Sequence, residues 1–199
     1  MQDGDGRWKE EPEDVEKIIL DYFSSIFSTD HPVDFEASLS AVNRWVSDEM
    51  NDFLLREFKE AKVWSALKQM HPTKSPGPDG MSTIFFQKYW EVVGSSVINC
   101  VIKTLKTGIM PSGLNDTYIC LIPKVKCPQE IIKFRPISLC NVVYKIVSKV
   151  LANRLKSILL EVINESQSAF VPGRQITDNV LVAFETMHCI DWRRKGKRG

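Results

Sequence analysis

The clearest β-strand pattern lies in the middle of the chain. Thr117–Pro123, with the sequence TYICLIP, is rich in β-forming residues and predicts a strand. Phe134–Leu139 predicts a second strand, and the roughly ten polar and proline-containing residues between them predict a loop joining antiparallel partners. The pattern therefore predicts a β-hairpin.

Helical periodicity dominates the rest of the chain. After Asn141, apolar residues return every three or four positions to about Asn164, which predicts one helix with Asn141 as its N-cap. Pro12 suits the first turn of another helix over Glu13–Phe27. Similar patterns predict helices over Ser47–Leu55, Lys59–Met70, Thr83–Lys106 (one helix, or two with a break at Gly94) and Asn179 to about Trp192. The predicted fold class is α+β, mostly helical, with one antiparallel hairpin.

Two segments lack this periodicity. Met1–Trp8 is small and polar, and we expect it to be disordered. Thr73–Ser82, with the sequence TKSPGPDGMS, holds two prolines and two glycines and predicts a rigid loop. Because no strand precedes it and no GK[ST] sequence ends it, a nucleotide P-loop is not expected, and a tight turn that aims the next helix is favoured.

Charge is distributed unevenly, although the net charge is only +1. Residues 1–102 carry 10 Lys and Arg against 18 Asp and Glu, a net charge of −8. Residues 103–199 carry 16 against 7, a net charge of +9. This polarity suggests that the second half of the chain meets a polyanion.

The cysteines form no CxxC pair, which argues against a zinc site. They are Cys100, Cys120, Cys127, Cys140 and Cys189. An odd number of cysteines behind an acidic N-terminus predicts reduced thiols in an intracellular protein, with nucleus and cytoplasm both open. No apolar run reaches the roughly 18 residues of a bilayer-spanning helix, so no membrane partner is predicted.

The predicted hairpin carries four cations, and Glu130 is its one acid. The cations are Lys124, Lys126, Lys133 and Arg135. Guanidinium and ammonium groups offer charge and directional donors to a phosphate chain. The alternative is that they are solvated charges on an exposed sheet edge, and spacing alone favours that interpretation.

Catalytic constellations are not evident in the sequence. It has no G-x-S-x-G, no H-E-x-x-H and no clustered pair of aspartates. The acids of the second half are dispersed, so they do not assemble the carboxylate set of a two-metal site.

Four motifs nevertheless occur in a specific order and spacing. They are SPGPDG at Ser75–Gly80, LNDTYICLIPK, FRPISLCNVVYKIVSKVLANRL and QSAFVPGRQITDN. Each is weak alone, but together they resemble the reverse transcriptase (RNA-directed DNA polymerase) of plant non-LTR retrotransposons, the long interspersed element type. The resemblance covers about Ser47 to the C-terminus. It implies a partial reverse transcriptase domain over residues 47–199, and the residue pattern before it predicts an acidic N-terminal helix and linker over 1–46.

The resemblance also implies the fingers, and the start of the palm, of a right-hand polymerase. Lys124 and Arg135 lie where this family's fingers hairpin contacts the phosphates of the incoming dNTP, so that cations neutralise charge as pyrophosphate leaves. Template and primer contacts are implied for Gln167, Phe170, Gly173 and Arg174. The implied partners are an RNA template, a DNA primer and dNTP; no oligomeric state is implied.

The sequence departs from the family after the basic segment WRRKGKRG. The first palm strand, with a catalytic Asp, should follow there, and neither it nor the later Tyr-x-Asp-Asp type strand is present in these residues. We therefore expect no catalytic or metal-binding residue in this chain, no cofactor of its own, and Mg²⁺ only in a complete polymerase. Two alternatives stay open: a nucleic-acid-binding remnant without chemistry, and a fragment related to group II intron maturases, which share the IPK and RP hairpin and the PGR motif.

Overall fold

The computed structural model describes residues 1–29, 35–40, 45–164, 167, 171 and 173–196. Its helices are α1 Pro12–Phe27, α2 Glu36–Leu39, α3 Asp48–Leu55, α4 Glu60–Lys68, α5 Thr83–Lys88, α6 Trp90–Thr107, α7 Val142–Leu155, α8 Leu159–Val162 and α9 Ile176–Gly196. The strands are β1 Thr117–Pro123 and β2 Phe134–Cys140, with a 3-10 turn at Ile131–Lys133 between them. The predicted mixed, mostly helical class with an antiparallel hairpin is confirmed.

The chain divides into two compact units. The first comprises Met1–Asn43 and Lys59–Val147, and the second comprises Arg44–Phe58 and Ser148–Gly199. Each unit is described by itself below. The predicted division at residues 46 and 47 stays a prediction.

The core of the first unit lies where α4, α5 and α6 contact one another. Val63 and Leu67 of α4 and Val101 of α6 have no exposed surface. The indoles of Trp64 and Trp90 stack with centroids 4.8 Å apart at one side of this cluster. Apolar residues at helical spacing thus form the buried face of α4, as is usual for a helix that packs on others.

The predicted break at Gly94 is wrong, because α6 continues through that residue. The chain instead breaks at Tyr89, between α5 and α6. A Cβ on Gly94 would lie only 2.8 Å from the indole of Trp90, one helical turn earlier. Glycine is therefore used here for close packing, and its cost inside a helix, about 1 kcal/mol relative to alanine, is small enough to be tolerated.

The predicted disorder of Met1–Trp8 is also wrong. The amide of Lys9 donates to the carbonyl of Met1, and the amide of Gln2 donates to the carbonyl of Gln129, each at 2.8 Å. The carboxylate of Asp3 accepts the amide of Arg7 at 2.9 Å, and this hydrogen bond is the main reason why the pKa of Asp3 is lowered. Backbone hydrogen bonds to a distant loop order this segment, and its composition does not reveal them.

The predicted helix from Asn141 to about Asn164 is two helices, α7 and α8. The chain turns at Lys156–Ile158, where the hydroxyl of Ser157 donates to the carbonyl of Arg154 at 2.7 Å. A serine hydroxyl that takes a helix carbonyl offers the backbone an alternative to continuing the helix. Likewise α9 begins at Ile176, earlier than the predicted Asn179.

In the second unit, Arg154 of α7 fastens the segment that follows α3. Its guanidinium donates to the carbonyls of Leu54 at 2.7 Å and Glu57 at 3.3 Å. The guanidinium carbon also lies 3.3 Å from the ring centroid of Phe58. Burial lowers the pKa of Arg154, but a guanidinium stays charged at neutral pH. Within the described residues, no helix is long and apolar enough to cross a bilayer.

Candidate functional site

The hairpin of β1 and β2 is the predicted site, and its register is regular from Thr117 opposite Cys140 to Pro123 opposite Phe134. Ile122 lies opposite Arg135. The amide of Lys124 donates to the carbonyl of Lys133 at 2.8 Å, so the ladder continues one pair beyond the strands. Because side chains alternate along a strand, the sequence places Arg135, Lys133 and Lys124 on one face.

Two of these lysines are already engaged in the loop. The Nζ of Lys133 contacts the Oε1 of Glu130 at 2.7 Å, and the Nζ of Lys124 donates to the carbonyl of Ile132 at 2.9 Å. The carbonyl leaves the charge of Lys124 uncompensated and two of its three N–H donors free of that bond. The pair of Lys133 with Glu130 is half-exposed and contributes at most about 1 kcal/mol. Lys124 therefore keeps more capacity for an anion than Lys133.

Arg135 is exposed on this face, near the loop end of the hairpin. Among the described residues, no hydrogen bond, ion pair or ring contact engages its guanidinium. Its five N–H donors are thus available to an oxyanion in a planar fork. The structure brings Lys124 and Arg135 to the same end of the hairpin, as the sequence predicted, while their contact with nucleotide phosphates stays a prediction.

The same face of the hairpin is apolar toward its base. Tyr118, Ile122 and Ile137 lie on it by register, and they are 63%, 47% and 41% exposed. A two-stranded sheet is marginal by itself and gains stability when such a face is covered. We call Tyr118, Ile122, Arg135 and Ile137 the hairpin platform. It combines a ring, aliphatic surface and a free guanidinium.

The base of the hairpin is organised by Asn141, which sequence reasoning treated as a helix cap. Its position is confirmed, since α7 begins at the next residue. Its Oδ1, however, accepts the amide of Asp79 at 3.1 Å, and its Nδ2 donates to the carbonyls of Gly113 and Leu114 at 3.1 and 3.3 Å. These partners lie far away in sequence. The one sign of this role in the sequence is the position of Asn141, a polar residue directly between a predicted strand and a predicted helix.

The predicted loop at Ser75–Gly80 lies against Asn141. A Cβ on Gly77 would overlap the backbone nitrogen and the Oδ1 of Asn141, so only glycine fits there. The Nζ of Lys145 donates to the carbonyl of Ser75 at 2.8 Å. The expected tight turn is confirmed by the hydrogen bond from the amide of Gly80 to the carbonyl of Gly77 at 3.0 Å.

In the second unit, the structure brings Gln167, Gly173 and Arg174 into one local arrangement. The amide of Arg174 donates to the carbonyl of Val171 at 3.3 Å, which closes a turn with Gly173 at a φ of 82°. The Nη1 of Arg174 donates to the carbonyls of Asn164 at 2.6 Å and Gln167 at 2.8 Å. Part of this guanidinium therefore holds the turn. Phe170, the fourth predicted template contact, lies outside the described residues.

Within the described part of the chain, no three His, Cys, Asp or Glu side chains converge as a metal site. The predicted involvement of Mg²⁺ in a complete polymerase stays a prediction.

Comparison with known proteins agrees with the motifs. Residues 122–198 match the sequence model of the reverse transcriptase (RNA-dependent DNA polymerase) family, and this range contains every predicted contact residue. The chain is also 33% identical over 189 residues to the uncharacterised 149 kDa protein of transposon TX1 from Xenopus laevis. This alignment covers 92% of the chain and 14% of that protein, so the chain spans a small part of its relative. Residues 122–198 thus carry reverse transcriptase domain sequence, and the chain is homologous to part of a transposon protein.

Proposed function

We propose that this chain is the fingers region, with the start of the palm, of the RNA-directed DNA polymerase of a non-LTR retrotransposon. In this proposal the hairpin binds dNTP phosphates through Lys124 and Arg135. The observation that carries it is the family match over residues 122–198, which begins inside β1 and includes both cations. The geometry supports it because Arg135 is exposed and free of partners among the described residues.

In this proposal the hairpin contributes electrostatic stabilisation of the triphosphate. A triphosphate carries several negative charges, and the charge on its leaving pyrophosphate grows during phosphoryl transfer. A guanidinium and an ammonium on one face supply positive charge to the phosphates: the Nζ of Lys124 is held at the carbonyl of Ile132, and the exposed guanidinium of Arg135 is free to turn toward an oxyanion. The platform beside them offers Tyr118 and two isoleucines, on which a flat base can stack.

In this proposal the template and primer contact Gln167, Phe170, Gly173 and Arg174, the residues of the QSAFVPGRQITDN motif. The support is the motif there and the geometry of Arg174, which uses one terminal nitrogen to close its own loop. Its other donors remain for a phosphate of the strand. The exposed apolar residues Val180, Phe184 and Met187 of α9 form a surface that the rest of a longer polymerase would cover.

We expect Arg135→Ala to weaken the binding of a fluorescent deoxynucleoside triphosphate by about fivefold to tenfold, because one exposed charge-assisted hydrogen bond is worth roughly 1 to 1.4 kcal/mol. Fluorescence anisotropy on the purified chain measures this. Lys103→Ala is the matched control, since Lys103 is an exposed cation on α6 in the same unit. Equal losses in both variants, or none in Arg135→Ala, contradict the assignment of Arg135.

We expect the 199-residue chain by itself to extend no primer on an RNA template in the presence of Mg²⁺ and all four dNTPs. The reason is that the acids of residues 103–199 are dispersed in the sequence and, among the described residues, no three His, Cys, Asp or Glu side chains converge, whereas a two-metal site needs carboxylates that hold two ions about 4 Å apart. A gel-based extension assay with a known reverse transcriptase as positive control checks this. Nucleotide incorporation by the purified chain contradicts the expectation.

A second candidate function is nucleic-acid binding without chemistry, and the net charge of +9 on residues 103–199 favours it. Binding of a primer–template duplex that weakens steeply with salt, together with the absence of extension, is the signature of this candidate. A chain that fails to bind the duplex at low salt excludes it.

A further inference from the structure

We propose that Asn141 is a positioning residue that couples the loop Ser75–Gly80 to the base of the β1–β2 hairpin, so that loop and hairpin keep one mutual arrangement. The coupling itself is argued from hydrogen bonds and burial. Its consequence for nucleotide binding rests on the proposed function, because it requires the hairpin to be the nucleotide-contacting element.

The carboxamide of Asn141 is fully committed to other segments. Asn141 is 2% exposed. Its Oδ1 accepts from Asp79 in the loop, and its Nδ2 donates to Gly113 and Leu114 just before β1. An amide nitrogen has two N–H donors, and both have a carbonyl here. Loss of this side chain therefore removes three hydrogen bonds between segments, and the carbonyl of Leu114 and the amide of Asp79 lose these partners.

On the hairpin side, Asn141 closes the open end of the ladder. It follows Cys140, which lies opposite Thr117, the first residue of β1. Leu114 precedes Thr117 by three residues, so the bonds from Nδ2 connect the two ends of the hairpin across its base. Gly113 holds a φ of 82°, and its carbonyl also accepts the amide of Asp116 at 3.4 Å. The entry to β1 is thus fixed by a turn that Asn141 anchors.

On the loop side, three contacts hold Ser75–Gly80 to the start of α7. Gly77 packs against Asn141 without room for a Cβ, Asp79 donates to its Oδ1, and Lys145 donates to Ser75 one turn later. A displacement of the loop would have to break or stretch bonds that also define the hairpin base. Asn141 thus forms hydrogen bonds to both segments, and such a shared contact can couple them energetically.

A helix cap alone does not account for this arrangement. The side chain of an N-cap residue accepts an amide from its own first helical turn. Here the Oδ1 of Asn141 accepts instead from Asp79, which lies 62 residues earlier. The carboxamide therefore serves segments outside α7.

Hydrogen exchange by mass spectrometry on the full chain tests the coupling. We expect Asn141→Ala to speed exchange at least tenfold in both the loop and the segment 113–117, while exchange of the α4 core stays unchanged. Gly77→Ala is the second variant: it retains the carboxamide of Asn141, but the added Cβ pushes against it, and we expect faster exchange at 113–117 from a change in the loop. Gly4→Ala, where a Cβ meets nothing within 4 Å, is its matched control.

Asn141→Asp adds a second measurement, the pH dependence of protection at 113–117, which a side chain with a packing role alone would not change. The introduced carboxylate keeps an acceptor for Asp79 but faces two carbonyls with no donor, so burial and repulsion favour its protonated form. Asp79, Asp116 and the thiol of Cys140 lie nearby on the loop, the turn and β2, and Lys145 opposes them from α7. As the pH falls and the carboxyl gains a proton, it regains a donor, and protection at 113–117 should return; Asn141→Ala should show no such recovery.

The results distinguish a failure of the proposed coupling from a failure of the proposed nucleotide contact. Unchanged exchange at 113–117 in Asn141→Ala and Gly77→Ala, or a pH-independent Asn141→Asp, overturns the coupling. If Asn141→Ala unfolds the whole chain, Gly77→Ala and the pH dependence of Asn141→Asp decide. If the exchange results hold but Arg135→Ala leaves triphosphate binding unchanged, the coupling stands and the proposed nucleotide contact fails. If both hold, Asn141→Ala should also weaken triphosphate binding severalfold with Arg135 intact.

Discussion

Replacing Leu67 with alanine is expected to lower the free energy of unfolding of the first unit by about 3 to 4 kcal/mol. Leu67 has no exposed surface and lies at the centre of the α4, α5 and α6 cluster. Truncation removes transfer free energy and leaves a cavity that neighbouring helices fill only in part. Small domains are stable by about 5 to 15 kcal/mol, so this loss is a large share of the total.

Equilibrium denaturation in urea, followed by tryptophan fluorescence, measures the loss; the stacked Trp64 and Trp90 lie in the same unit. Leu20→Ala is the matched control, because Leu20 of α1 lies in the same unit and is 57% exposed, so its truncation should change stability by less than about 0.5 kcal/mol. Similar effects of the two substitutions contradict the assignment of the core.

Replacing Arg154 with alanine is expected to destabilise the second unit by about 2 to 3 kcal/mol. The substitution removes two charge-assisted hydrogen bonds and the stacking of a guanidinium on Phe58. It also leaves the carbonyls of Leu54 and Glu57 without these donors. Arg154→Lys should recover less than half of the loss, since an ammonium cannot stack flat and bridge two carbonyls at once.

Arg56→Ala is the matched control for Arg154. Arg56 lies in the same unit, is exposed, and its guanidinium carbon is 5.3 Å from the ring of Phe53. We expect its removal to cost about 0.5 kcal/mol or less. Hydrogen exchange of α3 and its following segment resolves the two effects locally, and equal protection in both variants would count against the role of Arg154.

The hairpin was predictable because its signals are local. Thr117–Pro123 is rich in β-forming residues, and β1 has these bounds in the structure. Pro12 and Ser47 likewise mark helix starts by chemistry within one turn, and the hydroxyl of Ser47 does accept the amide of Met50. Such devices depend on neighbours in sequence, so a pattern can reveal them.

The predictions were wrong where a group outside the local sequence pattern determines the structure. The glycine at position 94 predicted a break in the helix. The helix continues there, and the indole of Trp90 packs in the space that a side chain at this position would fill. The N-terminal segment looks disordered, but Gln129, more than a hundred residues away, supplies its hydrogen-bond partner. The cations of the candidate site were visible in sequence, whereas the partners of Asn141 come from two other segments and could be found only from the fold.

The two prolines of the hairpin affect whether its strand edges can pair with those of another copy of the chain. Because Lys124 and Lys133 form a hydrogen-bonded pair, the alternation of the ladder makes Leu121–Pro136 and Pro123–Phe134 non-bonded pairs, whose backbone nitrogens face outward. A proline has no N–H, so each open rim of the ribbon lacks a donor at that point. A second ribbon that extends the ladder across either rim therefore forms one hydrogen bond fewer at the proline, which disfavours edge-to-edge pairing of this apolar hairpin.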